Sequence, residues 1–308
     1  MTSRFQVTIL GSSSALPTSQ RNTTAQLINH AERFFLVDCG EGTQIQMRRF
    51  QKKFFRIDHI FISHLHGDHF FGLPGLINTF NLLGRGKDLH IYAPPLLQEF
   101  LDAIRNYIFH GLSYKIIFHP IEHTEGSQLI YENKLLEVYA FPLIHKIPTY
   151  GFLFQEKLLP RKIKKELVEK YQIPIVDILK IKEKQAGFRL EDGSFLSNEE
   201  LTLPPEPPRS YAFCSDTAFN PKLTKYIREV DLLYHEATFL SDMKDRAKET
   251  THSTAEDAAK IATMVKAHRL MVGHYSSRYR ELEPFRDEIV PYFSGEVLLA
   301  EDGQTIEI

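Results

Sequence analysis

The chain has little to hold it together covalently and nothing obvious to anchor it. Two cysteines, Cys39 and Cys214, are all it carries in 308 residues, too few for a disulfide framework. Each follows an apolar strand-like run, Phe34 to Val37 and Tyr211 to Phe213, so buried free thiols are expected. No apolar run approaches the roughly 20 residues of a membrane span. The opening Met1-Thr2-Ser3-Arg4-Phe5 leads straight into a strand pattern without an apolar leader, and a soluble cytoplasmic protein with no membrane partner is expected. Charge of one sign is lacking too. The formal net charge is −2, so any nucleic-acid-binding surface must be local rather than global. Low-complexity tracts are absent. What is there is globular: 43% hydrophobic and 25% charged residues, in a chain long enough for a substantial core.

Apolar periodicity reads as strands at Phe5–Leu10, Ala25–Ile28, Arg33–Val37, Ile57–Ile62, Leu89–Tyr92, Tyr114–Phe118, Leu135–Pro142 and Tyr150–Phe154. Helical spacing appears in Glu41–Phe50, in the residues after Gly72 to about Leu83, and in Pro95–Phe109, where Pro95 suits a first turn. The last third alternates: helix at Pro221–Glu229, strand at Asp231–Tyr234, helix at Thr254–Ala267, strand at Leu270–Gly273 and helix at Pro284–Tyr292. Strands at Glu296–Leu299 and Thr305–Ile308 close the chain. Such an order predicts an α/β protein with two sheets packed face to face and helices outside. One interval breaks the pattern. Glu156–Asn198 is rich in Lys and Arg, and Leu203-Pro204-Pro205-Glu206-Pro207-Pro208 follows it as a stiff return that cannot pair inside a sheet. Both flanks read as one core, so residues 1–308 are taken as a single domain with 156–198 as an inserted arm.

The most informative segment is His64-Leu65-His66-Gly67-Asp68-His69, at the end of the apolar strand Ile57–Ile62. Three imidazoles and a carboxylate in one short turn suit zinc, with manganese the alternative where oxygen donors complete the shell. His145, Asp216 and His274 each follow an apolar strand in the same way. A lone polar residue closing a strand is ordinary; four such places can meet at one sheet edge.

His64-Leu65-His66-Gly67-Asp68-His69 matches the HxHxDH signature of the metallo-β-lactamase superfamily, whose fold is a four-layer αββα sandwich. Gly11-Ser12-Ser13-Ser14-Ala15-Leu16-Pro17, Arg21-Asn22, Ser215-Asp216-Thr217, His235-Glu236-Ala237-Thr238-Phe239, His252-Ser253-Thr254 and His274-Tyr275-Ser276-Ser277-Arg278-Tyr279 extend the likeness over nearly the whole chain. Together with the inserted arm, they resemble the tRNase Z (ribonuclease Z) family. The resemblance implies a zinc-dependent endoribonuclease that cuts precursor tRNA 3′ of the discriminator nucleotide, leaving a tRNA 3′-hydroxyl and a 5′-phosphorylated trailer. It implies two Zn2+ per subunit: one on His64, His66 and His145, the second on Asp68, His69 and His274, with Asp216 between them. Such a pair suits phosphodiester hydrolysis. Asp68 is then the proton acceptor, and Glu236 with His252 the group that protonates the departing oxygen; His235 is placed outside the metal shell.

The resemblance also makes the arm a flexible exosite for the tRNA elbow, with Lys162, Lys164 and Lys165 against phosphates, and makes the protein a homodimer. Arg21, Asn22 and Arg278 are further RNA-contact candidates; Arg278 could instead pair with Glu281 or Glu283. Many bacterial members carry a Gly-Pro step in the arm, whereas this chain reads Gln172-Ile173-Pro174-Ile175. Two other readings stand beside the main one. A related phosphodiesterase of the superfamily would hydrolyse small diesters without needing the arm, and an RNA-binding protein that had lost its chemistry would not have kept all seven ligand positions.

Overall fold

A computed structural model describes residues 3–108, 111–122 and 125–308. Two seven-stranded mixed sheets form the centre. The first runs edge to edge through Thr305–Glu307, Phe5–Gly11, Ala25–His30, Arg33–Val37, Ile57–Phe61, Leu89–Ala93 and Ile116–Pro120. The second runs through Glu296–Leu299, Arg269–Gly273, Leu232–Glu236, Ser210–Cys214, Tyr150–Glu156, Leu136–Pro142 and Gln128–Glu132. Each sheet changes from antiparallel to parallel pairing partway across: at Arg33–Val37 in the first and at Ser210–Cys214 in the second.

Hydrophobic burial explains the layers. Between the sheets lie Val7, Phe35, Phe61, Phe152, Phe154 and Phe213, all buried. Outside the first sheet, Met47, Leu76, Phe80 and Leu97 bring helices Thr43–Arg49, Leu73–Leu82 and Leu96–Ile108 down on Ile60 and Ile91. Outside the second, Ala258, Ala262, Phe285 and Ile289 seat helices Ala255–Met264 and Glu283–Ile289 on Leu233, Leu270 and Val272. This is the expected αββα sandwich, and both thiols are buried and free. Parallel strands covered on both faces lose all alternation: every residue of Leu232–Glu236 is buried.

Several local expectations differ from the structure. Strand Gln128–Glu132 was not anticipated; it is an edge strand with no fully buried residue, so its apolar signal is weak. The helix expected over Pro221–Glu229 is only a 3-10 turn, Pro221–Lys225. The chain must reverse into Leu232–Glu236, and Glu229 turns it with a left-handed φ of 53°. Helix Lys244–Thr250 was also missed. The last residue of the Pro95–Phe109 helix, Phe109, lies outside the described residues, as do Met1 and Thr2 at the chain start.

The Lys/Arg-rich interval forms a small unit from Lys162 to Leu203. Strands Lys162–Ile163 and Thr202–Leu203 pair at its base, and helices Lys165–Lys170 and Ile175–Lys184 join through Gln172 at φ 46°. Its own core is Ile173, Ile181 and Leu201. These bounds sit a few residues later than 156–198, because Tyr150–Glu156 completes a sheet strand and Asn198–Leu201 is a helix of the unit, capped by Ser197 and Glu200. At its root Glu156 accepts from Arg209 Nε (3.0 Å) and Nη2 (2.7 Å) and pairs with His30 Nε2 (2.9 Å).

Candidate functional site

Strand ends from both sheets deliver the candidate side chains to one place. Ile57–Phe61 of the first sheet leads into His64, His66, Asp68 and His69; in the second, Leu136–Pro142 leads to His145, Ser210–Cys214 to Asp216 and Arg269–Gly273 to His274. His64 Nε2 lies 3.0 Å from His66 Nδ1, and His145 Nε2 lies 3.2 Å from the same atom. His69 Nε2 and His274 Nε2 are 3.3 Å apart. Asp216 stands between the two sets with one oxygen toward each. Oδ2 faces His64 (3.7 Å) and His145 (4.0 Å), and Oδ1 faces His69 (3.4 Å) and His274 (3.2 Å). Asp68 Oδ2 approaches His69 and His274 at 3.6 and 3.5 Å. The donor atoms of His64, His66, His145 and Asp216, and those of Asp68, His69 and His274, form two groups compact enough for a cation each. Imidazole nitrogens sharing a tetrahedral zinc at about 2.0–2.1 Å stand roughly 3.3 Å apart, so this donor set fits divalent metal in both spacing and chemistry.

Each imidazole but one is held from behind. His64 Nδ1 meets Ser63 Oγ at 3.0 Å, His145 Nδ1 donates to the Thr251 carbonyl at 2.9 Å, and His274 Nδ1 meets Thr238 Oγ1 at 2.9 Å. His69 Nδ1 donates to Asp38 Oδ2 at 2.7 Å. Such contacts set which nitrogen faces the metal. Asp38 is fully buried, and its other bonds come from Ser63 N (2.8 Å) and Ser63 Oγ (2.9 Å). Asp38 and His274 both adopt left-handed backbone, with φ 57° and 59°, a conformation non-glycine residues keep only where surroundings enforce it. Sequence reasoning missed Asp38. A signal was available: it closes the apolar run Phe34–Val37, in the same context that marked Asp216.

The electrostatics follow from burial and mutual proximity. Burial pushes the pKa values of His64, His66 and His145 down, which leaves their nitrogens neutral and ready to donate. Burial acts the same way on His69, but the carboxylates of Asp216, Asp68 and Asp38 override it and push its pKa up. Asp216 is buried, which would raise it, yet His274 and His69 hold it well below the usual carboxylate range.

Beside this cluster Glu236 and His252 form a pair, with His252 Nδ1 2.7 Å from Glu236 Oε1. Burial would depress His252; the Glu236 carboxylate reverses that and carries its pKa to about 9. Glu236 and His252 also form a compact donor group with Asp216 and His274, yet the Glu236 oxygens are already engaged. Oε1 accepts from Thr217 N and His252, and Oε2 from Thr238 N and Oγ1. Those bonds leave it suited to orienting His252 rather than to a metal. His235 is buried, its Nδ1 donating to the Glu236 carbonyl, and it belongs to none of the compact donor groups. Ser253 donates to the Thr217 carbonyl, and Thr254 caps helix Ala255–Met264 with Asp257, so His252 sits on a fixed lead into that helix.

The RNA-contact candidates fare differently. Arg21 is 6% exposed; its guanidinium donates to the Tyr279 carbonyl and lies 5.7 Å over the Tyr275 ring. Asn22 bonds Asp302 through both its main-chain N and its side chain. Both brace the Ser13–Asn22 loop, and Arg21 also lines a cleft with Gln20, Arg280 and Glu281. Arg278 is exposed, donating to Ser276 Oγ and lying 5.4 Å over Phe239, while Glu283 pairs with Arg286 instead. Lys162 and Lys165 are exposed and Lys164 donates to the Glu200 carbonyl; with Arg161 and Lys182 they border a cleft of about 1070 Å³.

A sandwich of two mixed sheets carrying this His/Asp cluster at its strand ends defines a metallo-β-lactamase-fold hydrolase. The metallo-β-lactamase fold protein YhfI of Bacillus subtilis superposes with a TM-score of 0.70 at 18% identity, over 99% of this chain and 100% of that one. The human short-form tRNase Z gives 0.71 at 30% identity, with 98% of each chain covered. Ribonuclease Z of Bacteroides fragilis is 44% identical over 97% of this chain and 98% of its own length. Residues 5–160 match the family model described as anti-Pycsar protein Apyc1. The chain belongs to the ribonuclease Z family of endoribonucleases, and through residues 5–160 to the family which that model describes.

Proposed function

We propose that this protein matures tRNA 3′ ends, cutting precursor tRNA just 3′ of the discriminator nucleotide with two zinc ions per subunit, manganese being the alternative. The observation that carries the reading is the position of Asp216, one oxygen toward each donor set, next to the Glu236–His252 pair. His64, His66, His145 and Asp216 would hold one ion, and Asp68, His69, His274 and Asp216 the other. Bound there, such ions would acidify a water and neutralise charge on the phosphoryl oxygens.

The chain's own groups do the rest. Burial would raise Asp68, but His69 and His274 keep it ionised, and Ala15 N anchors its Oδ2 at 2.7 Å. As a fixed carboxylate it accepts the proton of the attacking water. The water oxygen bonds to phosphorus, the bond to the ribose 3′ oxygen breaks, and that oxygen takes a proton from the His252 imidazolium that Glu236 sustains. The products are a tRNA 3′-hydroxyl and a 5′-phosphorylated trailer. Cations of the arm, Lys162 and Lys165 foremost, hold the tRNA backbone away from the cut. The family resemblance further supports a cytoplasmic homodimer. No described helix is long and apolar enough to cross a membrane.

The test is cleavage of a 3′-extended precursor tRNA by wild type and Asp68→Ala, with the ends mapped and metal content measured. One cut after the discriminator, lost in the variant, supports the proposal. Metal-loaded protein that ignores the precursor yet hydrolyses a small phosphodiester overturns it.

A further inference from the structure

The dipeptide Phe70-Phe71 meets two opposite fates. Phe70 is 6% exposed and packs edge-on against Phe100, with ring centroids 5.4 Å apart. Phe71 is 61% exposed, and it lines the same cleft, about 590 Å³ in volume, as His66, Asp68, Asp216 and His252. A single exposed apolar residue is ordinary, so exposure alone carries nothing. The second observation is how the ring is held. It lies against the backbone of Gly67, where a Cβ would come within 2.3 Å of its edge, and the Phe70 ring is 4.8 Å away. Gly67 sits between His66 and Asp68, in the turn that supplies the candidate metal donors. The Phe71 ring is therefore held against the turn that carries the candidate donors while much of its surface stays open to the cleft. Leu16, 63% exposed, lines that cleft too.

Building on the RNA-cutting reading above, we infer that Phe71 is a stacking platform for a nucleobase next to the scissile phosphodiester, and so a positioning residue for the cut. An unpaired tail presents bases whose π-faces stack on an exposed aromatic ring whatever their identity. Stacking there sets where the backbone falls over Asp68 and Asp216, and it needs no base-specific hydrogen bond. Gly67 is part of the device, since any side chain at that position would displace the ring.

Precursor tRNAs carrying an abasic nucleotide at either of the two positions flanking the cut test this with wild type, Phe71→Ala and Phe71→Trp. On the intact precursor, Phe71→Ala should lower kcat/KM by about ten-fold or more, and Phe71→Trp should restore it. On one of the abasic precursors wild type should fall to the level of Phe71→Ala, which itself should lose nothing further. Phe71→Ala cutting the intact precursor at the wild-type rate overturns the inference. So does a Phe71→Ala enzyme as sensitive as wild type to removal of the base, since that would make the residue merely structural. A wild type that cuts no precursor at all sinks the parent reading, and this inference with it.

Discussion

Exchanging Asp38 for asparagine isolates what a buried carboxylate contributes to the candidate metal site. Asp38 Oδ2 accepts from His69 Nδ1 at 2.7 Å and from Ser63 Oγ at 2.9 Å, and Oδ1 accepts from Ser63 N at 2.8 Å. An amide cannot reproduce that set. With its NH2 toward His69, the imidazole must move its proton to Nε2, the nitrogen that faces His274 and Asp216. With the NH2 toward Ser63 N, two donors collide in a fully buried place. The backbone is not a confounder, because asparagine tolerates the left-handed φ of 57° found at Asp38. Losing one charge-assisted hydrogen bond costs about 2 kcal/mol, or roughly 30-fold in affinity for the ion His69 would hold; replacing a group that hydrogen-bonds a metal-ligating histidine weakens metal binding to a similar degree. Zinc titration against a competing chelator, with thermal melts to confirm the fold, reads this directly. Asp38→Asn should bind one ion as wild type does and the other about 30-fold more weakly, with precursor cleavage restored by excess metal. Unchanged affinity at both sites would refute the argument that Asp38 holds the His69 tautomer.

Further outcomes are expected. His252→Ala should lower the cleavage rate by about 10²–10⁴-fold. In wild type the rate should fall as pH rises through at most about 9, where the imidazolium is lost, bound cations pulling that limb lower; Glu236→Gln should move it lower still in the pH profile. Glu156 is pulled down to about 2, against burial, by His30 and Arg209. A depressed carboxylate stabilises the fold above its unfolded value of 4.5 and ceases to as pH falls through about 2. The stability gap between wild type and Glu156→Gln in urea melts should thus be about 3 kcal/mol near neutrality and vanish below pH 2. Lys162→Ala with Lys165→Ala should weaken precursor binding and reduce the steepness of log affinity against log salt by up to about 2, while small-diester hydrolysis stays at the wild-type rate.

The chain itself determined the strands flanking the site and the kind of chemistry at their ends, because both are local. A buried strand announces itself by an unbroken apolar run such as Leu270–Gly273, and a turn with three imidazoles and a carboxylate is recognisable wherever it lies. Edge strand Gln128–Glu132 was hidden because half-exposed residues blur the pattern. Tertiary structure alone decided which atoms meet. The family resemblance put Asp216 between the donor sets, but only the packed sheets show which oxygen faces which histidines, or that four donors saturate Glu236 and leave it to orient His252. Nor could the residue order show that Arg21 turns inward to Tyr275 and Tyr279, or that Asp38 reaches His69 across thirty-one positions. Those facts depend on packing two sheets face to face, which joins strand ends far apart in the chain and leaves each buried polar atom only the partners that the opposing elements bring.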